Sequence, residues 1–475
     1  MIHSARAFLH RFREPIAPDT VEAMRRNRER VPESLRVPQQ LLGRSTNGCG
    51  ATIGAMPRCD FACVGCYLGA DANHIPPEPV EAIKEQMRRL KPQLGRPGNL
   101  QLTDGEITLR PVEEVIELLR YAHGIGLLPM LMTHGDSFRR RPGLLERLMT
   151  EGGLREVSIH IDTTQRGRKG YKQPPREDDL HPLRDEFVEL IRKAKRDTGL
   201  PLHAATTMTV TSGNLAGVAG VMEWLLRNSD VFSVVSFQPV AQVGRTVDGL
   251  GGGVAVEALW DEIRRGIGDG ATRVEVDAGT LYVGHPACNR YLSGVVVNEE
   301  GRAPRYLPTR QVGDALDDRV VGGFLERFGG VSLRDKRGAE SLGVVAGLVR
   351  RDVGFFLRNT VPYAWAWLHR LSGGRPIRFL ARERRGEVRL SNLTVISHHF
   401  MSRAELETPL GQERIATCVF HVPIGDRLVP MCEVNATDLR DRYYADIAGG
   451  RAPGREIPVL YPLRVAGKPV ETHAS

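Results

Sequence analysis

Between about residues 46 and 246 the chain alternates between two hydrophobic rhythms, and this alternation restricts the fold more than any other feature. Short runs rich in β-branched residues, "ATIGAM", "NLQLTDG", "LPMLMTHG", "EVSIHIDTT", "LHAATTMTVT" and "FSVVSFQPV", are bounded by Gly, Pro or Asn, which is the pattern of strands. Between them lie "PVEAIKEQMRRL", "VEEVIELLRYAHGIG", "GLLERLMTEGG", "PLRDEFVELIRKAKRDTG" and "NLAGVAGVMEWLLRNSD". Their apolar residues fall three and four apart, as Val112, Val115, Ile116 and Leu119 do, so each reads as a helix with one packed face. Strands joined through helices become parallel by right-handed crossovers. Six such units predict an α/β fold built on a partial (β/α)6, TIM-like barrel rather than a closed eightfold one. In such sheets functional side chains gather at the carboxyl ends of the strands. "RCDFACVGCY" follows the first run, "DGE" the second, "THG" the third, "DTT" the fourth and Arg245 the sixth, so five candidate elements share one rim.

The rest of the 475 residues frames this core at 46–246. Residues 1–45 form a basic N-terminal extension with "VEAMRRNRERV" as its best helix candidate. "DGLGGGVAV" (248–256) lacks the GxGxxG spacing of a dinucleotide site and reads as a linker. Residues 257–475 mix short strands with helices in a C-terminal α+β region, and the Pro- and Gly-rich tail from Gly449 is expected to be partly disordered. The net charge of +8 is spread along the chain, apart from short clusters at Arg25–Arg30 and Arg139–Arg141. No zinc-finger, RNP-type or basic-helix signature accompanies it, so nucleic acid is not the expected substrate. No apolar run reaches the roughly 18 to 20 residues of a membrane helix, and the start lacks the apolar core of a secretory signal. A cytoplasmic location is the expectation.

Seven cysteines, an odd number without a secretory signal, point to metal or redox chemistry rather than a disulfide framework. Cys59, Cys63 and Cys66 lie close enough to turn three thiolates toward one point. Three do not complete a tetrahedral zinc site, but they can hold three irons of a 4Fe-4S cubane and leave the fourth open.

This CxxxCxxC loop after the first strand of a partial barrel resembles that of the radical S-adenosylmethionine superfamily, over roughly residues 46 to 246. The resemblance implies that S-adenosylmethionine chelates the open iron and that an electron from a flavodoxin- or ferredoxin-type donor cleaves it. The 5′-deoxyadenosyl radical so formed takes hydrogen from an unreactive carbon. It further implies that Cys59, Cys63 and Cys66 are the cluster ligands and that Asp104-Gly105-Glu106 matches the family's GGE motif, with Asp104 in place of the first glycine. In "SIHID", Ser158, His160 and Asp162 alternate onto one face, and Ser158 and Asp162 are candidates for contact with the cofactor's polar groups. Arg245 of "QPVAQVGR" is a further cofactor candidate. Family members carry an aromatic before the third cysteine, where it meets the adenine; here Gly65 occupies that position and Tyr67 follows the cysteine, so either Tyr67 substitutes for it or the adenine is held otherwise. His134 of "THG" shows no partner in sequence and reads as a turn histidine.

Four cysteines remain. Cys418 and Cys432 bracket a hairpin with Gly-Asp at its turn, and Cys288 lies in "GHPACNRY". A second Fe-S cluster would take Cys288, Cys418 and Cys432, with Cys49 or His285 as the fourth ligand; separate buried thiols are the alternative. "HPACN", "HHFM" and the Cys-hairpin-Cys stretch resemble the branch of the superfamily that includes tetraether lipid synthases, which implies a lipid substrate. The aromatic segment "VGFFLRNTVPYAWAWLHRL" (353–371), flanked by arginines, suits a bilayer interface or an acyl tunnel, and peripheral membrane contact goes with that reading. The alternative is two core helices joined at Pro362. Other functions compatible with the sequence are a radical maturase of peptides or small molecules with an auxiliary cluster and, from another class, an Fe-S electron carrier or redox sensor. A carrier would be expected to coordinate its cluster fully.

Overall fold

Each strand run finds its neighbour in chain order. A computed structural model describes residues 2–246, 253–311, 313–334, 336 and 338–454. Strands β1 (Cys49–Ala51), β2 (Gly98–Leu102), β3 (Leu127–Thr133), β4 (Glu156–His160), β5 (His203–Val210) and β6 (Phe232–Pro239) form consecutive parallel ladders. The sheet does not stop there. Beyond β6 it continues with β9 (Val388–His398), which is parallel, and then with the antiparallel strands β7 (Asn289–Glu299) and β8 (Arg305–Pro308). On the other side β10 (Phe420–Ile424) is parallel to β1, and β11 (Arg427–Pro430) closes the edge as a hairpin. The result is one curled sheet of eleven strands, ordered β11-β10-β1-β2-β3-β4-β5-β6-β9-β7-β8.

The expected parallel α/β core is present, with two adjustments. The first strand is Cys49–Ala51 rather than the stretch beginning at Ala51. From Thr52 onward only single bonds to β2 and its exit continue, Thr52 N donating to Gln101 O at 3.1 Å and Thr52 Oγ1 to Thr103 O at 2.9 Å. Residues 257–475 add five strands to the edges of the core sheet instead of building a sheet of their own. Of the supposed linker, residues 247–252 lie outside the described residues, as does the tail from 455.

Packing follows the period-two rule of strands. Leu100, Leu102, Leu131, Val157, Ile159, Met208, Val235 and Phe237 face the helices, where Ile83, Met87, Leu119, Phe187, Ile191, Met222 and Leu225 complete one continuous core. The other face of the same strands carries Gln101, Met130, Met132, Ser158, Thr207 and Gln238, most of them partly exposed along a trough. The helix Pro18–Glu29 of the N-terminal extension docks on Val80–Leu94 through Asn27, whose Nδ2 donates to Gln93 O at 3.1 Å and to Asn47 Oδ1 at 3.2 Å.

The segment at 353–371 departs most from expectation. Pro362 does not divide it: one helix runs Val353–Ser372 with the proline inside. Pro removes a backbone donor and crowds the carbonyl four residues earlier. Here both Arg358 and Pro362 are exposed, so the freed carbonyl can be hydrated. Nor is it a core helix, since Asn359 is its one buried residue.

The β1 edge is sealed by β10, and Ala51, Ile53 and Leu68 pack under Val422, Ile424, Val429 and Tyr443. A fragment ending at residue 246 would therefore expose both sheet edges and this apolar cluster. It is expected to aggregate where the full chain stays monodisperse, as size-exclusion chromatography of the two would show.

Candidate active site

The loop that follows β1 is held from three directions by backbone hydrogen bonds. Gly105 N donates to Met56 O and Glu106 N to Arg58 O, each at 2.8 Å, tying it to the exit of β2. Ala62 N donates to Arg166 O at 2.9 Å and Val64 N to Thr164 O at 3.0 Å, tying it to the segment after β4. Arg245 N donates to Cys66 O at 3.0 Å from beyond β6. Asn73 Oδ1 accepts from Cys59 N at 3.0 Å. Gly105 is required by this closeness, because a Cβ there would lie 2.3 Å from Arg58 O and 2.4 Å from Pro57 O. The exits of β2, β4 and β6 thus converge on Cys59, Cys63 and Cys66, as the rim argument expected.

The three thiols are half-buried and share one electrostatic environment. Burial pushes Cys63 up to about 12 and raises Cys59 and Cys66, and Cys59 is raised further by Glu106, Cys63 and Cys66. Arg168 opposes the shift at Cys63; Arg245 and Arg440 oppose it at Cys66. Thiolates brought together in such a place require positive charge, which a metal centre supplies. This donor set fits three ligands of an iron-sulfur cluster.

The other rim residues divide by what already occupies them. Glu106 is buried and holds the rim itself together: it accepts from Thr108 N at 3.1 Å, Thr133 Oγ1 at 2.7 Å and His134 N at 2.9 Å. Asp162, also buried, accepts from Thr164 N at 2.8 Å, Thr164 Oγ1 at 2.6 Å and Thr209 N at 2.6 Å, and pairs with His160 Nε2. Burial opposes its ionisation, but His160 and these donors outweigh burial and hold the carboxyl below its usual range. Such saturation describes a strand-end turn former. Ser158 shares a 3.0 Å hydrogen bond with Thr207 inside the trough.

Asp104 has a partner that sequence did not show. Arg440, buried on the helix Leu439–Ala448, places NH1 2.5 Å from Asp104 Oδ1, while Gly54 N donates to the other oxygen. Burial raises the Asp104 carboxyl and Arg440 opposes the rise. The Arg440 guanidinium also lies 4.9 Å from the centre of the Tyr67 ring, and Tyr67 OH donates to Asp104 O at 3.0 Å. Tyr67 is therefore anchored beneath the rim by its own contacts. Gly65 packs against the β4 and β5 ends, where an added Cβ would meet Thr209 Cγ2 at 3.0 Å and Thr164 Oγ1 at 3.6 Å, so the usual aromatic position has little room.

His134 is more than a turn residue. Its ring stacks on Phe61 of the cysteine loop, with centroids 3.8 Å apart, and its Nε2 lies 2.8 Å from Asp60. Arg140 holds the other Asp60 oxygen at 2.5 Å, and Arg168 lies 5.0 Å from the centre of the Phe61 ring. Asp60 was visible inside the motif, but its partner stands 74 residues away.

The remaining thiols form a second set. Cys49 opens β1 in register with Phe420, and the β10–β11 hairpin sets His421 opposite Pro430, leaving Cys418 and Cys432 at its open end. Burial raises all four thiols, with Cys49 pushed up to about 12 and Cys418 to about 11. Cys418 adds to the shift at Cys49, Cys288 to that at Cys418, and both Cys418 and Cys288 to that at Cys432. Arg414 Nε donates to Cys288 Sγ at 3.4 Å, and His399 N to Cys288 O at 2.8 Å. None of the four is in a disulfide. His285 Nδ1 accepts from Ala287 N and its Nε2 faces Glu413 at 3.7 Å, so Cys49 is the better-placed fourth ligand. Among the described residues, the buried Nε2 of His399, whose backbone N is the donor to Cys288 O, has no hydrogen-bond partner. Four unbridged thiols supply the donor type that an iron-sulfur centre takes.

Most of this rim lies in a stretch that matches a known family. Residues 53–215 match the family model of the radical SAM superfamily, and the chain carries that enzyme domain. Among solved structures, Streptococcus suis SuiB bound to the precursor peptide SuiA aligns at 13% identity and TM-score 0.32, covering 45% of this chain and 43% of that one. Native anSMEcpe with bound AdoMet and the Cp18Cys peptide aligns at 15% identity and TM-score 0.30, covering 40% and 50%. The chain spans half or less of the length of these structures, and at such scores the likeness adds nothing to the fold read from the strands. No curated protein matches the chain at a significant level. Tetraether lipid synthases do not appear among these matches, and the C-terminal resemblance stands on its short stretches alone.

Removing one partner from a buried ion pair strands a desolvated charge. Arg440→Ala is expected to cost about 3–5 kcal/mol in chemical denaturation. Asp104→Asn combined with Arg440→Ala should cost less than the sum of the single changes, and strict additivity would show that the pair is not coupled.

Proposed function

We propose that the protein is a radical S-adenosylmethionine enzyme that uses Cys59, Cys63 and Cys66 to hold a catalytic 4Fe-4S cluster and a second Fe-S centre on Cys49, Cys288, Cys418 and Cys432. The observation that carries this reading is the convergence of three strand exits on the CxxxCxxC loop, at the mouth of a trough lined by polar and thioether side chains. When bound, the cluster and S-adenosylmethionine supply a 5′-deoxyadenosyl radical able to take hydrogen from an unactivated carbon.

The chain's own residues give this chemistry its setting. Backbone bonds fix the loop, and the Asp60–His134 contact and the Phe61 stack fix its first half. Arg245 and Arg168 favour thiolates at Cys66 and Cys63. Gln101, Met130, Met132, Ser158, Thr207 and Gln238 offer a substrate both hydrogen-bonding and apolar contacts. The substrate is a small molecule or a lipid. A reducing partner of the flavodoxin or ferredoxin type supplies the electron.

The second thiol set and the cysteine loop border a common apolar cluster. Tyr67, next to Cys66, and Cys432 both pack on the apolar cluster of Val243, Met401, Leu406, Ile415 and Ala436. A centre so near the catalytic loop suits electron transfer to or from the substrate.

Protein purified and reconstituted without oxygen is expected to produce 5′-deoxyadenosine from S-adenosylmethionine and dithionite. The triple variant Cys59→Ala, Cys63→Ala, Cys66→Ala should produce none yet keep part of its iron. Complete loss of iron in that variant would remove the second centre. A wild type that holds a cluster but yields no 5′-deoxyadenosine, alone or with lipid extract, would favour an electron carrier or sensor.

A further inference from the structure

The helix Val353–Ser372 is rich in apolar residues, yet one whole side of it is unburied. Val353, Leu357, Val361 and Trp365 follow one another at intervals of four, each rotated about 40° from the last, and form a single stripe. Leu357 is 78% exposed, Val361 75% and Trp365 58%. The next helix, Pro376–Arg384, extends the surface with Ile377, 84% exposed, and Leu380.

The opposite side is what anchors these helices. Phe355 and Phe356 pack on Phe328 with ring centres 5.8 and 5.5 Å away, while Trp367, Leu368 and Leu371 pack with Phe379 on Val297, Leu307 and Val388. The exposed stripe is therefore not the packing face of a displaced element; that face is already in use. Contiguous exposed apolar side chains of this size mark an interaction surface.

Its charge identifies the occupant. No Asp or Glu lies between Asp352 and Glu383. Arg351, Arg358, Arg375 and Arg378 are exposed along and beside the stripe, and among the described residues none of them has an ion pair. Two other arginines of the same helices are paired, Arg370 with Asp314 and Asp317, and Arg382 with Glu299 and Glu387. Exposed aliphatic and indole side chains edged by unpaired guanidinium groups fit a layer of lipid acyl chains beneath anionic headgroups. The helix is not a span, since no helix among the described residues is long and apolar enough to cross a membrane.

We infer that the outer faces of Val353–Ser372 and Pro376–Arg384 dock the protein on an anionic lipid surface, with Leu357, Val361, Trp365 and Ile377 entering the acyl boundary and Arg351, Arg358, Arg375 and Arg378 meeting the headgroup phosphates. This goes beyond the radical chemistry and does not depend on it, because the surface lies on other elements than the cysteine loop.

The test is co-sedimentation of the full-length protein with vesicles of phosphatidylcholine alone or mixed with phosphatidylglycerol, at low and high salt. Binding is expected to the mixed vesicles and to weaken with salt. The variant Leu357→Ser, Val361→Ser, Trp365→Ser, Ile377→Ser should bind about tenfold less or worse, and each Arg→Gln change among the four arginines should weaken binding about fivefold. Unchanged circular dichroism and 5′-deoxyadenosine formation would show that the variants remain folded, so failure here is distinguishable from failure of the radical reading. Three results overturn the inference: no binding to the mixed vesicles, equal binding by the serine variant, or a dimer in light scattering that the serine variant dissociates while vesicles go unbound.

Discussion

The buried pair between Asp104 and Arg440 is the contact on which the site most depends. A carboxylate on the rim of a parallel sheet is costly to desolvate, and the Arg440 guanidinium leads the groups that oppose that cost here, with Tyr444 and Gly54 beside it. The same guanidinium lies over Tyr67, next to Cys66, and the same carboxylate accepts from Gly54, on the path from β1 to the cysteine loop. One side chain from the helix Leu439–Ala448 thus fixes the β1 exit, the β2 exit and the residue after the third cysteine. The cysteine loop lacks this support until the helix Leu439–Ala448 has packed onto it.

That dependence explains which features were legible in the sequence. The alternation of strands and helices is a local signal, repeated six times, and the sheet follows it with β1 to β6 in chain order. The cysteine spacing and the rim position of "DGE", "DTT" and Arg245 are also local. What the sequence did not show are pairings across hundreds of residues: Asp104 with Arg440, 336 positions apart, or the strand register that sets Cys49 opposite Phe420. No periodicity marks Arg440 or Arg168 as different from other arginines; only burial does. Pro362 misled for the opposite reason, because a strong local breaker was overridden by flanking packing at Phe355 and Phe356 on one side and Trp367 and Leu368 on the other.

The C-terminal region does two different things at the two ends of the sheet. At the β1 edge, β10 pairs with β1 beside Cys49, and the β10–β11 hairpin closes the apolar cluster beneath the cysteine loop. A parallel strand paired with β1 carries its flanking residues to the β1 edge without any loop from the core itself, so the second centre proposed above draws on segments as distant as Cys49 and Cys432. Its location follows from sheet topology rather than from a compact motif.

At the other edge, β7, β8 and β9 form a platform whose residues Val297, Leu307 and Val388 hold the helices Val353–Ser372 and Pro376–Arg384. A helix that keeps its packed side on a sheet edge and its apolar side outward is stable only if the packed side suffices, since water makes the outward side a liability. The aromatic contacts at Phe328 and the cluster at Phe379 meet that requirement, and the glycine turn Gly373–Gly374 lets the second helix follow the first. The sheet edges thus separate two demands that would conflict in one place: buried thiols need dry, positively charged surroundings, whereas a surface that meets lipid must stay open and free of carboxylates.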